Sequence, residues 1–160
     1  MENYKTIFEL ELKNLYASEK QICETLSKLD NYILDDKAKK LLEKAKEEHL
    51  KNFLNLQKLL KTKTINPGST KDSIISEMSN NFESYLNTTY SKNEKEVSII
   101  ASLIRLFYYQ NANFRVAQNM SKSLDEDILK KMIKKMRKKN KKKIKALKEI
   151  SSSIFKNAGK

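Results

Sequence analysis

The chain has 160 residues, a formal net charge of +13, one cysteine, two glycines, one proline and no tryptophan. A single cysteine excludes an intrachain disulfide and a cysteine-based zinc site, and turn residues this scarce leave little room for a many-stranded sheet. At this length one domain, residues 1–160, can bury a core without staples.

The first element predicted is a helix over about 4–29. Phe8, Leu12, Leu15, Ile22, Leu26 and Leu29 recur at steps of four and three, the signature of one helix face. The pattern asks for one more apolar residue at position 19, where Glu19 stands. The turn-rich DNYILDD follows, with Asp35 or Asp36 as N-cap of a second helix over about 37–61. Its seam is Leu42, Ala45, His49, Phe53, Leu56 and Leu60. TKTINPGST, with the only proline, is the clearest loop.

A shorter helix over about 71–90 carries Ile74, Ile75, Met78, Phe82, Tyr85 and Leu86 as its stripe. A long helix over about 94–121 has the seam Ile100, Leu103, Phe107, Gln110, Phe114 and Ala117. SKSLDED is a turn with Asp125 as the capping candidate. The last helix, over about 126–155, has Leu129, Ile133, Met136, Asn140, Leu147, Ile150 or Ser151, and Ile154 on its seam. Two hairpins joined by a long crossover predict an all-α fold: a ferritin-like antiparallel four-helix bundle with a shorter fifth helix on the crossover.

Each long helix therefore carries one polar residue on its seam near mid-length: Glu19, His49, Gln110 and Asn140. Antiparallel packing sets the four at about one depth, where each can satisfy another. Asn52, one turn after His49, belongs to the same layer. In ferritin-like bundles this level holds two metal ions between glutamates and Glu-x-x-His pairs. One histidine cannot complete that set. Glu19, Glu48 and His49 are the candidate ligands of a single iron or manganese ion, and a satisfied hydrogen-bond network without cofactor is the expectation they compete with. Lys143, close to the last seam, can supply the positive charge that a metal otherwise brings.

The stretch LYASEKQICETLSKL, followed by KAKKLLEKAKEEHLKNFLNLQKLLK, resembles the opening of the YciE/YciF-type ferritin-like family, most clearly over residues 8–61. Tyr16, Glu19, Lys20 and Gln21 match its first motif, with Ala17 and Ser18 altering the middle. Glu48, His49 and Leu50 match its second. The second half departs. Phe107, Tyr108, Tyr109 and Gln110 stand where the family carries a glutamate-histidine-tyrosine-glutamate run. Lys135 and Met136 stand where it has paired glutamates, and Asn52 replaces another. The resemblance implies a bacterial stress-associated protein related to iron-oxidising enzymes. The departures imply loss of that chemistry, and hence a binding or structural role rather than catalysis.

Residues 130–148 hold twelve basic residues and no acidic one. The apolar seam makes these lysines the solvated back of a packed helix. The competing reading is an anion-binding surface of Lys134, Lys135, Arg137, Lys138, Lys141, Lys142 and Lys145, taking nucleic acid without sequence specificity or an anionic lipid surface. Tyr108 and Tyr109 are expected to pack against the crossover helix, and Cys23 to be a small helical residue. No serine has a histidine in reach, and Gly68 and Gly159 make no phosphate loop. The charged N-terminus and the absence of a membrane span point to a cytoplasmic protein, with a homodimer or another protein as partner.

Overall fold

The four-three spacing of the first seam is a 3.6-residue repeat, and burying it against three similar stripes closes a bundle. The computed structural model describes residues 2–160. Helix α1 (Glu2–Leu26) runs through a 3-10 turn (Asp30–Tyr32) into α2 (Asp36–Thr62). The crossover carries α3 (Ser73–Leu86), and α4 (Lys92–Ser123) and α5 (Asp127–Ala158) complete the chain. No strand occurs among the described residues.

Helices α1 and α2 form one hairpin and α4 and α5 the other; α1 also packs on α4, and α2 on α5, while α3 lies against α1 and α4. Glu96, near the start of α4, accepts from the backbone N–H groups of Leu34 and Asp35 after α1, both at 2.8 Å. Lys63, just past α2, pairs with Glu126 ahead of α5 at 2.7 Å. Neighbours around the ring are thus antiparallel. The fold is the all-α ferritin-like bundle with a fifth helix on the crossover.

The helix ends follow local chemistry. Asp35, not Asp36, caps α2 by accepting from Ala38 N–H at 2.9 Å. Helix α4 starts earlier than Glu94 because Ser91 and Glu94 form a capping box. Asp125 does not cap α5. It sits at φ +55°, and Glu126 N–H returns to the Ser121 carbonyl at 3.0 Å, so Asp125 is the left-handed residue that closes α4. Thr64, at φ +58°, closes α2 in the same way, with Ile65 N–H on the Leu60 carbonyl at 2.9 Å. On α3 only Ile75 and Phe82 of the expected stripe are fully buried, because that helix covers one edge of the bundle.

The apolar interior falls into two clusters. One gathers Ile22, Leu26, Ala45, Leu103, Phe107, Ile144 and Leu147 with their neighbours. The other gathers Phe8, Leu12, Leu15, Leu56, Leu60, Phe114, Leu129, Ile133 and Met136. Between them, on every long helix, lies the polar residue that interrupts the seam.

Candidate functional site

Helix α1 brings Ser18 and Glu19 to this level, α2 brings Glu48, His49 and Asn52, α4 brings Gln110 and Asn113, and α5 brings Asn140 and Lys143. Glu19, His49 and Gln110 have no solvent exposure. Glu19 Oε2 lies 2.6 Å from His49 Nδ1. Its Oε1 accepts from Gln110 Nε2 at 3.0 Å and from Asn52 Nδ2 at 3.4 Å. Gln110 Nε2 also reaches Ser18 Oγ at 2.9 Å, and its Oε1 accepts from Asn113 at 3.0 Å.

The other face of the imidazole meets Lys143, whose Nζ is 2.9 Å from His49 Nε2 and 3.3 Å from Glu48 Oε2. Lys143 Nζ also lies 4.8 Å from the Phe107 ring centroid, and the His49 ring stacks on Phe107 at 5.7 Å. These partners assign the tautomer: Nδ1–H donates to Glu19, and the Nε2 lone pair accepts from the ammonium. Burial lowers the His49 pKa below 6.5; Glu19 opposes the shift and the Lys143 charge adds to it. Burial also lowers the Lys143 pKa below 10.5, against the pull of Glu48 and Glu19. A neutral imidazole meets the first direction, and the Glu48 and Glu19 carboxylates work against the second to hold the ammonium beside it.

Asn140 lies at the same level but outside this network. Its Nδ2 donates to the Phe107 main-chain carbonyl at 2.8 Å, and its Oδ1 is buried with no hydrogen-bond partner among the described residues. Asparagine is too short to cross the bundle, and the longer Lys143, one turn on, makes the connection from α5.

An iron or manganese ion does not fit these residues. No group of three His, Cys, Asp or Glu side chains among the described residues could hold one. Both Glu19 oxygens accept hydrogen bonds, and the His49 nitrogen free to bind metal is occupied by an ammonium group. Lys135, where the resemblance places a glutamate, faces solvent, and Met136 is packed in the second apolar cluster.

On the outer face of α5, Lys134, Lys135, Lys138, Lys141, Lys142 and Lys145 are exposed, and none pairs with an acid among the described residues. Arg137 does not belong with them: it is half-buried, and its Nε is buried without a hydrogen-bond partner. The two tyrosines separate. Tyr109 turns to the crossover and donates to Asp72, 2.9 Å from Oδ2. Tyr108 does not pack there; it is 48% exposed and faces α5, with Lys148 Nζ 3.3 Å from its hydroxyl. Cys23 is half-buried, and burial, then Glu19 and Glu24, pushes its thiol up to about 12, so it stays protonated and unreactive.

Asp72 has no place in the seam reading, yet it ties three helices. Its Oδ1 caps α3 through Ile74 and Ile75 N–H, both at 3.0 Å. Gln21 of α1 brackets its backbone, accepting from Asp72 N–H at 2.8 Å and donating to its carbonyl at 3.0 Å. An aspartate directly before the α3 stripe is an N-cap signal, which marks the cap but not the tyrosine it holds.

Residues 3–158 match the family described as Domain of unknown function (DUF892). The chain belongs to this family. The E. coli stress protein YciF superposes with a TM-score of 0.88 at 15% identity, over 98% of this chain and 99% of YciF. "YcfI, a putative structural protein from Rhodopseudomonas palustris" superposes with a TM-score of 0.83 at 16% identity, over 91% of this chain and 92% of its own. At these identities both likenesses establish the fold. No protein with a curated description matches the chain. Among the described residues no helix is long and apolar enough to cross a membrane.

Proposed function

We propose that this DUF892 member is a non-catalytic cytoplasmic bundle whose metal site has degenerated, a lysine standing where relatives hold ions, and that its role is binding or structural. The observation that carries this reading is the Lys143 ammonium on His49 Nε2 at 2.9 Å. A divalent ion reaching Glu19, Glu48 and His49 has to expel that cation first. The stress label on YciF and the structural label on YcfI support a stress-linked scaffold, and a second copy or another protein is the partner this reading calls for. The test is elemental analysis of protein grown with added iron and manganese. The expected result is no stoichiometric metal. Stoichiometric iron or manganese, absent from folded His49→Ala protein, overturns the reading in favour of a single-metal site.

A second reading concerns a different surface. Six exposed, acid-free lysines on α5 favour a face that attracts polyanions such as nucleic acid, without sequence specificity and with steep salt dependence. Retention on immobilised DNA that survives physiological salt is the expected behaviour; elution below it removes the reading.

A further inference from the structure

Tyr108 of α4 and the lysine run of α5 are far apart in sequence, and the fold brings them to one groove. It has a volume of about 420 Å³ and is lined by Tyr108 and Asn111 of α4 and by Lys141, Ile144, Lys145 and Lys148 of α5. Glu149 is the one acid at its edge. Lys141, Lys145 and Lys148 follow steps of four and three, so they stand along one side of the groove. Lys148 Nζ lies over the half-exposed Tyr108 ring, 5.9 Å from its centroid, so a base that stacks on this face takes the place of the ammonium. Asn111 Oδ1 is buried with no hydrogen-bond partner among the described residues. An acceptor in that state is open to a donor, from water or from a ligand in the groove.

These parts define a ligand with a flat ring, a polar ring edge and negative charge next to it. A duplex presents its phosphates outward and keeps its bases stacked, so it cannot enter a groove to reach Tyr108. A lipid surface is broad and flat and leaves a concave site unfilled. A single strand offers both the free base and the flanking phosphates. We propose that the α4/α5 groove binds single-stranded nucleic acid, with a base stacked on Tyr108, its edge toward Asn111, and neighbouring phosphates on Lys141, Lys145 and Lys148. The proposal rests on the reading of α5 as an anion-binding face and gives that face a strand preference.

The test is fluorescence anisotropy of the full chain with a labelled oligothymidylate and a labelled duplex of equal length, over a salt series. The expected result is tighter binding of the single strand. Tyr108→Ala should weaken it roughly 5- to 150-fold, the range of a lost base–aromatic stack, and leave duplex binding unchanged. Tyr108→Phe should retain it. Replacing Lys141, Lys145 and Lys148 by glutamine should flatten the salt slope more than the same change at Lys134, Lys135 and Lys138, which lie outside the groove. Equal affinity for both nucleic acids with no effect of Tyr108→Ala overturns the groove and spares the wider anionic face. No binding of either at low salt overturns both. Capture by phosphatidylserine vesicles without capture of the strand assigns the face to lipid and overturns the proposal. Tyr108 is exposed, and circular dichroism of each variant checks that the fold is kept.

Discussion

Lys143 Nζ closes His49 Nε2 at 2.9 Å while Glu19 holds Nδ1 at 2.6 Å, so one imidazole joins the cation of α5 to the carboxylate of α1. Removing the cation exposes what it does. Lys143→Met leaves Nε2 without a donor and Glu48 without its partner, and should cost roughly 1–3 kcal/mol in urea unfolding. The Lys143 charge is one of the causes that hold the imidazole down. In the variant the His49 pKa should therefore rise, read directly by NMR because the chain has a single histidine. An unmoved His49 titration would show that the ammonium is not where the geometry puts it.

The layer should behave as a unit. Glu19→Leu, His49→Phe and Gln110→Leu together leave Lys143 with Glu48 as its one remaining partner in an otherwise more apolar interior. Adding Lys143→Met removes the buried cation at nearly constant volume and leaves Glu48, which is only partly buried, to solvent. The triple variant should be strongly destabilised, and the quadruple should recover to near wild type or exceed it by about 1–4 kcal/mol, as for other buried ionic groups replaced by apolar ones. Additive losses across the series, with no rescue by the fourth change, would mean that these side chains do not share their energy.

Acid should weaken the protein through His49. Its folded pKa lies below the 6.5 of the free group, so the unfolded chain takes up the proton first. This contribution is intact above 6.5 and is lost as pH falls toward the folded value. Lys143, depressed below 10.5 by burial, has the same sign at the alkaline end: stability gains as pH rises toward 10.5. Urea midpoints of wild type and His49→Gln from neutral to mildly acid pH separate the imidazole from the carboxylates. The wild type should show the steeper loss.

Asp72 should matter more than a loop aspartate ordinarily does. Asp72→Ala removes the α3 cap and the Tyr109 partner together, for roughly 1–3 kcal/mol. Burial, then Asp72, pushes the Tyr109 phenol up to about 12. In Asp72→Asn that phenol should move down only part of the way to 10.0, because burial remains. Tyrosinate absorbance reads this as the difference between the alkaline titrations of wild type and Asp72→Asn.

Two helix ends should accept glycine. Thr64 and Asp125 hold left-handed backbone, which costs a β-branched residue more than an aspartate. Thr64→Gly should raise stability by about 1 kcal/mol, and Asp125→Gly by less. The reverse order in thermal melts would place the strain elsewhere.

The long helices were legible because each repeats its apolar step over many turns, and Glu19, His49 and Gln110 stood out as breaks in those steps. Periodicity fixes a level along the axis but not a side chain's reach. Asn140 therefore shared the expected level yet turned to a main-chain carbonyl, while Lys143, just off the seam, became the partner. Tyr108 and Tyr109 could not be separated by spacing, since adjacent residues of a helix point to different neighbours. Asp72 is readable as a cap but its tyrosine partner is not, and Glu96 carries no periodic signal because its partners are backbone N–H groups of another segment. Asp125 misled because an aspartate in a tight inter-helix turn serves the end of one helix as readily as the start of the next.

The division of the interior by one polar storey has a further result. Oil-like contacts alone would let neighbouring rods slide by a turn at small loss, since leucine meets leucine again. Here such a slip drops Glu19 among aliphatic side chains and leaves Lys143 pointing at an aliphatic floor. The hydrogen-bonded storey thus works as a vernier mark: it admits one vertical setting of the four rods and penalises every other.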